Sequence, residues 1–246
     1  MLSSISLLHP TSCVSLGILV REAASEREQQ ALYGKLCSSA RGTQARLAEA
    51  NEDEPTPLCV WQHPYSRQSN AEKPASVIDF AHALARRTAS ELRECNDDDA
   101  LAAAATAIDH SKYDSLVSLL YGPGAALRPH VDKGMVGYGL ALSFGASATF
   151  DFGGTRVVLR SGDALFADFG AVRHAVLTTH SADSAPAWWA ALAADADEAG
   201  ASTFGRSRCS LQLRDRVWSL RPHPTRPGSY QRRCLQREPA YLRSGT

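Results

Sequence analysis

The stretch LLYGPGAALRPHVDKG, residues 119–134, decides how the chain is read. Leu119, Leu120 and Tyr121 end an apolar run that begins at Ser115. Gly122-Pro123-Gly124 then places a residue of fixed φ between two of unrestricted φ, the composition of a tight turn. Leu127 to Asp132 reads as the returning strand, so Tyr121 and His130 are expected on paired strands facing one cavity. Residues i and i+2 of a strand share a face; His130 and Asp132 are therefore expected to aim inward together while Val131 packs outward.

Downstream, the same texture continues as short apolar segments punctuated by Gly, Pro and Asp, the pattern of many strands. Candidate strands are 115–121, 127–132, 138–144, 148–152, 155–160, 163–169, 174–178 and 208–214. These eight segments imply a two-sheet jelly roll. The segment 181–203, small and acidic around Trp188-Trp189, breaks the rhythm and reads as an insertion. Upstream the composition is helical. Residues 25–47 carry apolar positions at Ala31, Leu32 and Leu36, and Val77, Phe80, Ala81, Leu84 and Leu92 mark one face of an amphipathic helix ending near Glu94. Asp97-Asp98-Asp99 flanks a short Ala-rich helix from 101 to 107, and the apolar run 14–20 reads as a first strand. The fold class is thus α+β: a double-stranded β-helix core with N-terminal helices packed on one sheet.

The chemistry lies in the strand-rich part, where His174 follows Asp132 by 42 residues. Two histidines and one carboxylate on one side of a metal leave adjacent positions open, which suits non-haem Fe(II) with a bidentate oxo-acid and O2. Arg208 and Arg214 lie six apart, hence on one strand face, where guanidinium forks hold carboxylate oxygens in pairs.

Together, LLYGPGAALRPHVDKG, LSFGASATFDFG (142–153), LRSGDALFADFG (159–170), RHAV (173–176) and RCSLQLR (208–214) resemble the AlkB-type Fe(II)/2-oxoglutarate dioxygenases. EKPASVIDFAHAL (72–84) resembles the proline-bearing loop and helix before that family's core. The resemblance implies His130, Asp132 and His174 as iron ligands, Arg208 and Arg214 on the 2-oxoglutarate carboxylates, and Tyr121 as a further hydrogen bond to that cosubstrate. It also implies O2 as co-reactant and oxidative demethylation or hydroxylation, most often of methylated DNA or RNA. The chain departs from the pattern at three places. Leu119 and Ser210 stand where the family has asparagines near the cosubstrate, and Gly134 stands where base-repairing members carry a second carboxylate. Trp61, Tyr65 and Trp188-Trp189 are candidates by location for either a lid or packing.

The 246 residues carry 26 basic and 26 acidic side chains, unevenly spread. Residues 201–246 hold 10 arginines against 2 acids, a basic end suited to a polyanion. One domain is expected over 1–220, its core at 115–216, with an Arg-rich extension at 221–246. No apolar run approaches the roughly 18 residues of a membrane helix. The six cysteines form no CxxC pair, which favours a reducing compartment such as cytoplasm, nucleus or mitochondrion. Nucleic acid is the leading partner. Open beside it stand a protein substrate of the same chemistry, a jelly-roll binding module without turnover, and a zinc hydrolase with His2Asp ligands, which lacks a nearby general base. The sequence sets no oligomeric state.

Overall fold

From Ser115 onward, inward and outward residues alternate strand by strand, and a computed structural model turns that alternation into two facing sheets. It describes residues 4–11, 15–36, 58–63, 75–95, 98–113, 115–181, 184–191 and 206–216. In chain order the elements are β1 (Ser4–Leu8), β2 (Gly17–Arg21), α1 (Glu26–Leu36), β3 (Leu58–His63), α2 (Ala75–Cys95), α3 (Asp99–Asp109), β4 (Ser115–Tyr121), β5 (Leu127–His130), β6 (Met135–Gly145) and β7 (Ala148–Phe152). They continue with β8 (Thr155–Leu159), β9 (Ala164–Ala167), β10 (His174–Thr179), α4 (Ala187–Ala191) and β11 (Arg208–Arg216). The larger sheet runs β1-β2-β9-β6-β11-β4-β3 and the smaller β5-β10-β7-β8. Every neighbouring pair is antiparallel, giving a jelly roll.

Period-two alternation divides the larger sheet cleanly. Ile18 and Val20, Leu116 and Leu120, Leu140, Leu142 and Phe144, Ala164 and Phe166, and Leu211 and Leu213 join Val77, Ala81, Leu84, Leu101 and Ile108 of the helices in one core. The intervening residues face the smaller sheet, where Leu19, Tyr121, Ala141 and Leu165 meet Phe150, Phe152, Leu159 and Val176. The helices therefore cover one sheet only, as expected. Their starts are capped by their own sequence. At α1 the Ser25 backbone N donates to Glu28 Oε2 at 2.8 Å while Glu28 N donates to Ser25 Oγ at 3.4 Å, a reciprocal capping box. Asp98 Oδ1 accepts from Ala100 N at 2.7 Å and starts α3.

Several expectations shift. The first strand expected at 14–20 is β2, and β1 pairs with it in a hairpin that carried no clear pattern. The helix expected over 25–47 occupies Glu26–Leu36, with the remainder outside the described residues. Strand β5 ends at His130, because Lys133-Gly134 opens a turn in which Met135 N donates to Asp132 O at 3.2 Å. Asp132 thus lies beyond the strand, and Val131 is half-buried beside the ligands rather than packed outward. Tyr121 and His130 are not on paired strands: β4 belongs to the larger sheet and β5 to the smaller. Trp188 and Trp189 are buried in the helix-side core, where Trp189 packs edge-on against Tyr33 at 4.7 Å. They form no lid. Gly145, at φ +79°, is what admits this indole, since a Cβ there would lie 2.5 Å from it. Trp61 lies on β3, whereas Tyr65 and the arginines beyond Arg216 lie outside the described residues.

Candidate metal centre

His130 and His174 are direct partners in the β5–β10 ladder. The pairing brings two residues 44 positions apart in sequence to a ring separation of 4.5 Å. In each ring Nδ1 lies against the carbonyl of the residue two positions before, Arg128 O at 2.8 Å and Val172 O at 3.0 Å. A carbonyl only accepts, so each Nδ1 carries the proton, and in the neutral ring Nε2 keeps its lone pair. Both Nε2 atoms face Asp132 Oδ1, at 3.5 Å from His130 and 3.7 Å from His174. The turn holds that carboxylate in place, because Asp132 N donates to Phe169 O at 2.8 Å. The three donor atoms lie within 4.8 Å of one another. Two neutral imidazole nitrogens with fixed tautomers and one carboxylate oxygen form a set suited to a divalent transition metal with open positions.

The electrostatics of His174 and Asp132 agree with that use. Burial, opposed by the charge of Asp132, lowers His174 to about 4, so its ring is neutral at pH 7. His130 is raised by its hydrogen bond to Asp132, against the effect of burial. Burial favours the protonated form of Asp132, but Arg214, His130 and His174 outweigh it and hold the carboxyl below its usual range.

Arg208, Ser210, Gln212 and Arg214 share one face of β11 and line a narrow inner chamber that reaches His174. Arg208 is fully buried; its Nη2 donates to Ser143 Oγ at 2.9 Å. Its Nε and Nη1, and the Tyr121 hydroxyl, have no hydrogen-bond partner among the described residues. The guanidinium lies 5.2 Å from the centre of the Tyr121 ring. Burial pushes the Tyr121 hydroxyl up to about 12 and lowers Arg208 from its ordinary value. A buried guanidinium with two idle donors costs several kcal/mol unless an anion meets it. Donors of this kind fit a carboxylate, so the residues present fit an oxo-acid cosubstrate as well as the metal.

Arg214 occupies the partition between this chamber and an outer cleft of about 560 Å³ that contains His130 and Asp132. Its Nε donates to Asp132 Oδ2 at 2.7 Å, its Nη1 to Leu140 O at 2.7 Å and Leu213 O at 3.0 Å, and its guanidinium lies 3.7 Å over the Phe169 ring. Gly139 makes this seat: a Cβ there would meet Arg214 Cδ at 2.5 Å. The inner chamber encloses only about 10 Å³, so a five-carbon dicarboxylate enters it only if Arg214 or its neighbours Leu127 and Gln212 give way.

All six residues singled out in the sequence therefore gather around two connected spaces. Phe169, Ser115 and Gln212 also line them, Ser143 holds Arg208 from behind, and none of the four was anticipated. Gln212 had a readable signal, since it lies on the same β11 alternation as the two arginines. Ser143 is the cross-strand partner of Ser210, a relation visible only once β11 is placed beside β6.

No protein-family model matches this sequence, and no curated protein matches it. Among solved structures it is similar to NgTET1 in complex with 5mC DNA, at 12% identity over 88% of this chain and 79% of that one, TM-score 0.47. It is also similar to the viral collagen prolyl hydroxylase of Paramecium bursaria Chlorella virus-1 in its 2OG complex, at 13% identity over 81% and 95%, TM-score 0.42. A third is a Pseudomonas putida prolyl-4-hydroxylase, at 17% identity over 81% and 92%, TM-score 0.39. Likeness at this level assigns no role to any residue.

Proposed function

We propose that this chain is an AlkB-like Fe(II)- and 2-oxoglutarate-dependent dioxygenase that demethylates or hydroxylates methylated nucleic acid. One observation carries the reading: a His-Asp-His donor set stands beside a buried guanidinium and phenol whose donors await an anion. Bound Fe(II), with 2-oxoglutarate and O2, supplies an oxidant for a C–H bond, and an N-methyl carbon hydroxylated in this way is released as formaldehyde.

The chain's own residues do the rest. His130 and His174 keep their protons on Nδ1 and offer Nε2, while Asp132 offers Oδ1 and keeps Oδ2 on Arg214. Arg208 and Tyr121 would hold a carboxylate of the cosubstrate, and Arg214, at the partition between the two spaces, would face the cosubstrate while keeping its bond to Asp132. Phe150 and Phe169, packed around the His174 ring at 6.0 and 5.0 Å, exclude water from the inner chamber. Leu119 and Ser210 leave fewer hydrogen bonds for the cosubstrate than the family pattern supplies.

Charge favours nucleic acid over a neutral peptide. Among the described residues from 115 to 181, every exposed charged side chain is cationic: Arg128, Lys133, Arg156, Arg160 and Arg173. The aspartates of that stretch are buried or half-buried. Sequence-independent phosphate contacts use such a surface.

The test is succinate formation from 2-oxoglutarate by anaerobically iron-loaded protein exposed to O2, with methylated oligonucleotides or methylated peptides added. The expected result is turnover lost in His130→Ala and Arg208→Met, stimulated by oligonucleotide, and weakened steeply between 50 and 200 mM salt, about the range over which phosphate contacts are screened. Stimulation by peptide alone would move the substrate to protein. Metal binding without turnover in any arm would leave a non-catalytic module.

A further inference from the structure

Two polar groups in the outer cleft have no part in the reading above. Ser115 is 1% exposed, and its hydroxyl has no hydrogen-bond partner among the described residues although the residue lines the cleft. Gln212 lines the same cleft; among the described residues its side chain makes one long hydrogen bond, with Oε1 accepting from Arg214 Nη2 at 3.5 Å. In the β4–β11 ladder Ser115 stands opposite Arg214 and Val117 opposite Gln212, so hydroxyl and amide are diagonal neighbours on one face. Val117, Leu119, Leu127, Val131 and Met135 supply apolar walls around them.

The charges of this cleft are one-sided. Asp132 is its sole carboxylate among the described residues, and that carboxylate is engaged by Arg214 and faces both histidines. Lys133 and Arg214 add positive charge to the same walls. A neutral flat group entering here loses little hydration and can exchange hydrogen bonds with the hydroxyl and amide. A cation would be desolvated against like charge with no free carboxylate to receive it.

We infer that the cleft selects a neutral N-methylated nucleobase, gripped at its amide edge by Ser115 Oγ and the Gln212 side chain, and rejects a cationic one. This rests on the nucleic-acid reading for the substrate class, while the selectivity itself rests on the cleft. The geometry makes Ser115 and Gln212 substrate-binding residues and Lys133 a rim charge that reinforces the choice.

The probes are two nucleosides, 3-methylthymidine, neutral at pH 7, and 1-methyladenosine, cationic at pH 7, titrated separately into the full chain stripped of metal with EDTA. Binding is read by NMR shift perturbation. The neutral probe should bind about tenfold more tightly, and Gln212→Glu, which changes charge at nearly constant shape, should shift the ratio about tenfold towards the cation. Lys133→Glu, at an exposed position, should shift it the same way by a smaller factor and serves if the first variant does not fold. Equal or tighter binding of the cation, no binding of either nucleoside at millimolar concentration, or a ratio unmoved in both folded variants would overturn the inference. Succinate formation is measured on the same parent protein after iron loading. Selective binding without succinate defeats the oxygenase reading and keeps the subsite, whereas succinate without selectivity does the reverse.

Discussion

Against the helices the seven-stranded sheet presents Leu116, Leu120, Leu140, Leu142, Leu211 and Leu213, each at most 1% exposed; towards the smaller sheet it presents Tyr121, Ser143, Arg208, Ser210 and Arg214, each at most 5% exposed. The first set forms a dry aliphatic layer with no polar group to satisfy. The second leaves the Tyr121 hydroxyl and two nitrogens of Arg208 unmet. Since the two sets alternate along the same strands, one sheet separates stability from chemistry at single-residue spacing. Buried polar groups left unpaired oppose folding, so the concentration of the sheet's own such groups on the face towards the smaller sheet, among the described residues, points to that face as the working one.

The comparison breaks first at neighbouring residues of β11. Leu213→Ala should cost about 2–5 kcal/mol in urea denaturation, the usual range for a buried leucine, while Gln212→Ala should cost far less because Gln212 is half-buried at a cleft. Equal losses would mean the two faces are not energetically distinct. Mn(II) at a hundred times its Kd should raise stability by about 2.7 kcal/mol through linkage, seen as a higher Tm, and His174→Ala should remove that increment. Arg208→Met should leave the fold unchanged or more stable by about 1 kcal/mol, because it removes a buried unpaired charge, yet abolish 2-oxoglutarate binding in calorimetry. A destabilisation like that of Leu213→Ala would make Arg208 a packing residue.

Smallest is the effect at the edge of the helical layer. Ser25→Ala should cost about 1 kcal/mol through loss of the α1 cap. The Ser25 hydrogen bond holds the Glu28 carboxyl below its ordinary value, so its contribution is present above the unfolded value and is lost as pH falls through the folded one. Glu28 is largely exposed, which keeps the increment small. Acid titration of parent and Ser25→Ala by circular dichroism should therefore converge at low pH.

Much of this arrangement could be read before the fold was seen. The strands from Ser115 to Thr179 were legible because glycine and aspartate turns punctuate clean alternation, and the His-Asp-His set because its members sit on or beside those strands. Asp132 was misplaced by one element: the alternation continued in type, but the turn chemistry of Lys133-Gly134 ended the strand first. Strand β1 was missed because SISLL is short and its partner lies across a gap in sequence, so only pairing defines it. Ser115 and Gln212 escaped notice for a different reason. A polar residue on a strand looks solvent-facing until the opposing sheet is in place.

Strand β11 has a consequence for how the molecule is made. It lies between β6 and β4, yet it is the last in chain order of the strands among the described residues. A growing chain already contains His130, Asp132 and His174 while the centre of the larger sheet is still open, and both arginines arrive together with the strand that closes it. Pairings as distant as Ile18 with Phe166 and Tyr121 with Arg208 make this a slow, non-local folding problem. Truncation before residue 208 leaves two unpaired inner edges, a template for aggregation. Assembly of the site is thereby tied to the arrival of β11, which adds both arginines and closes the sheet in one step.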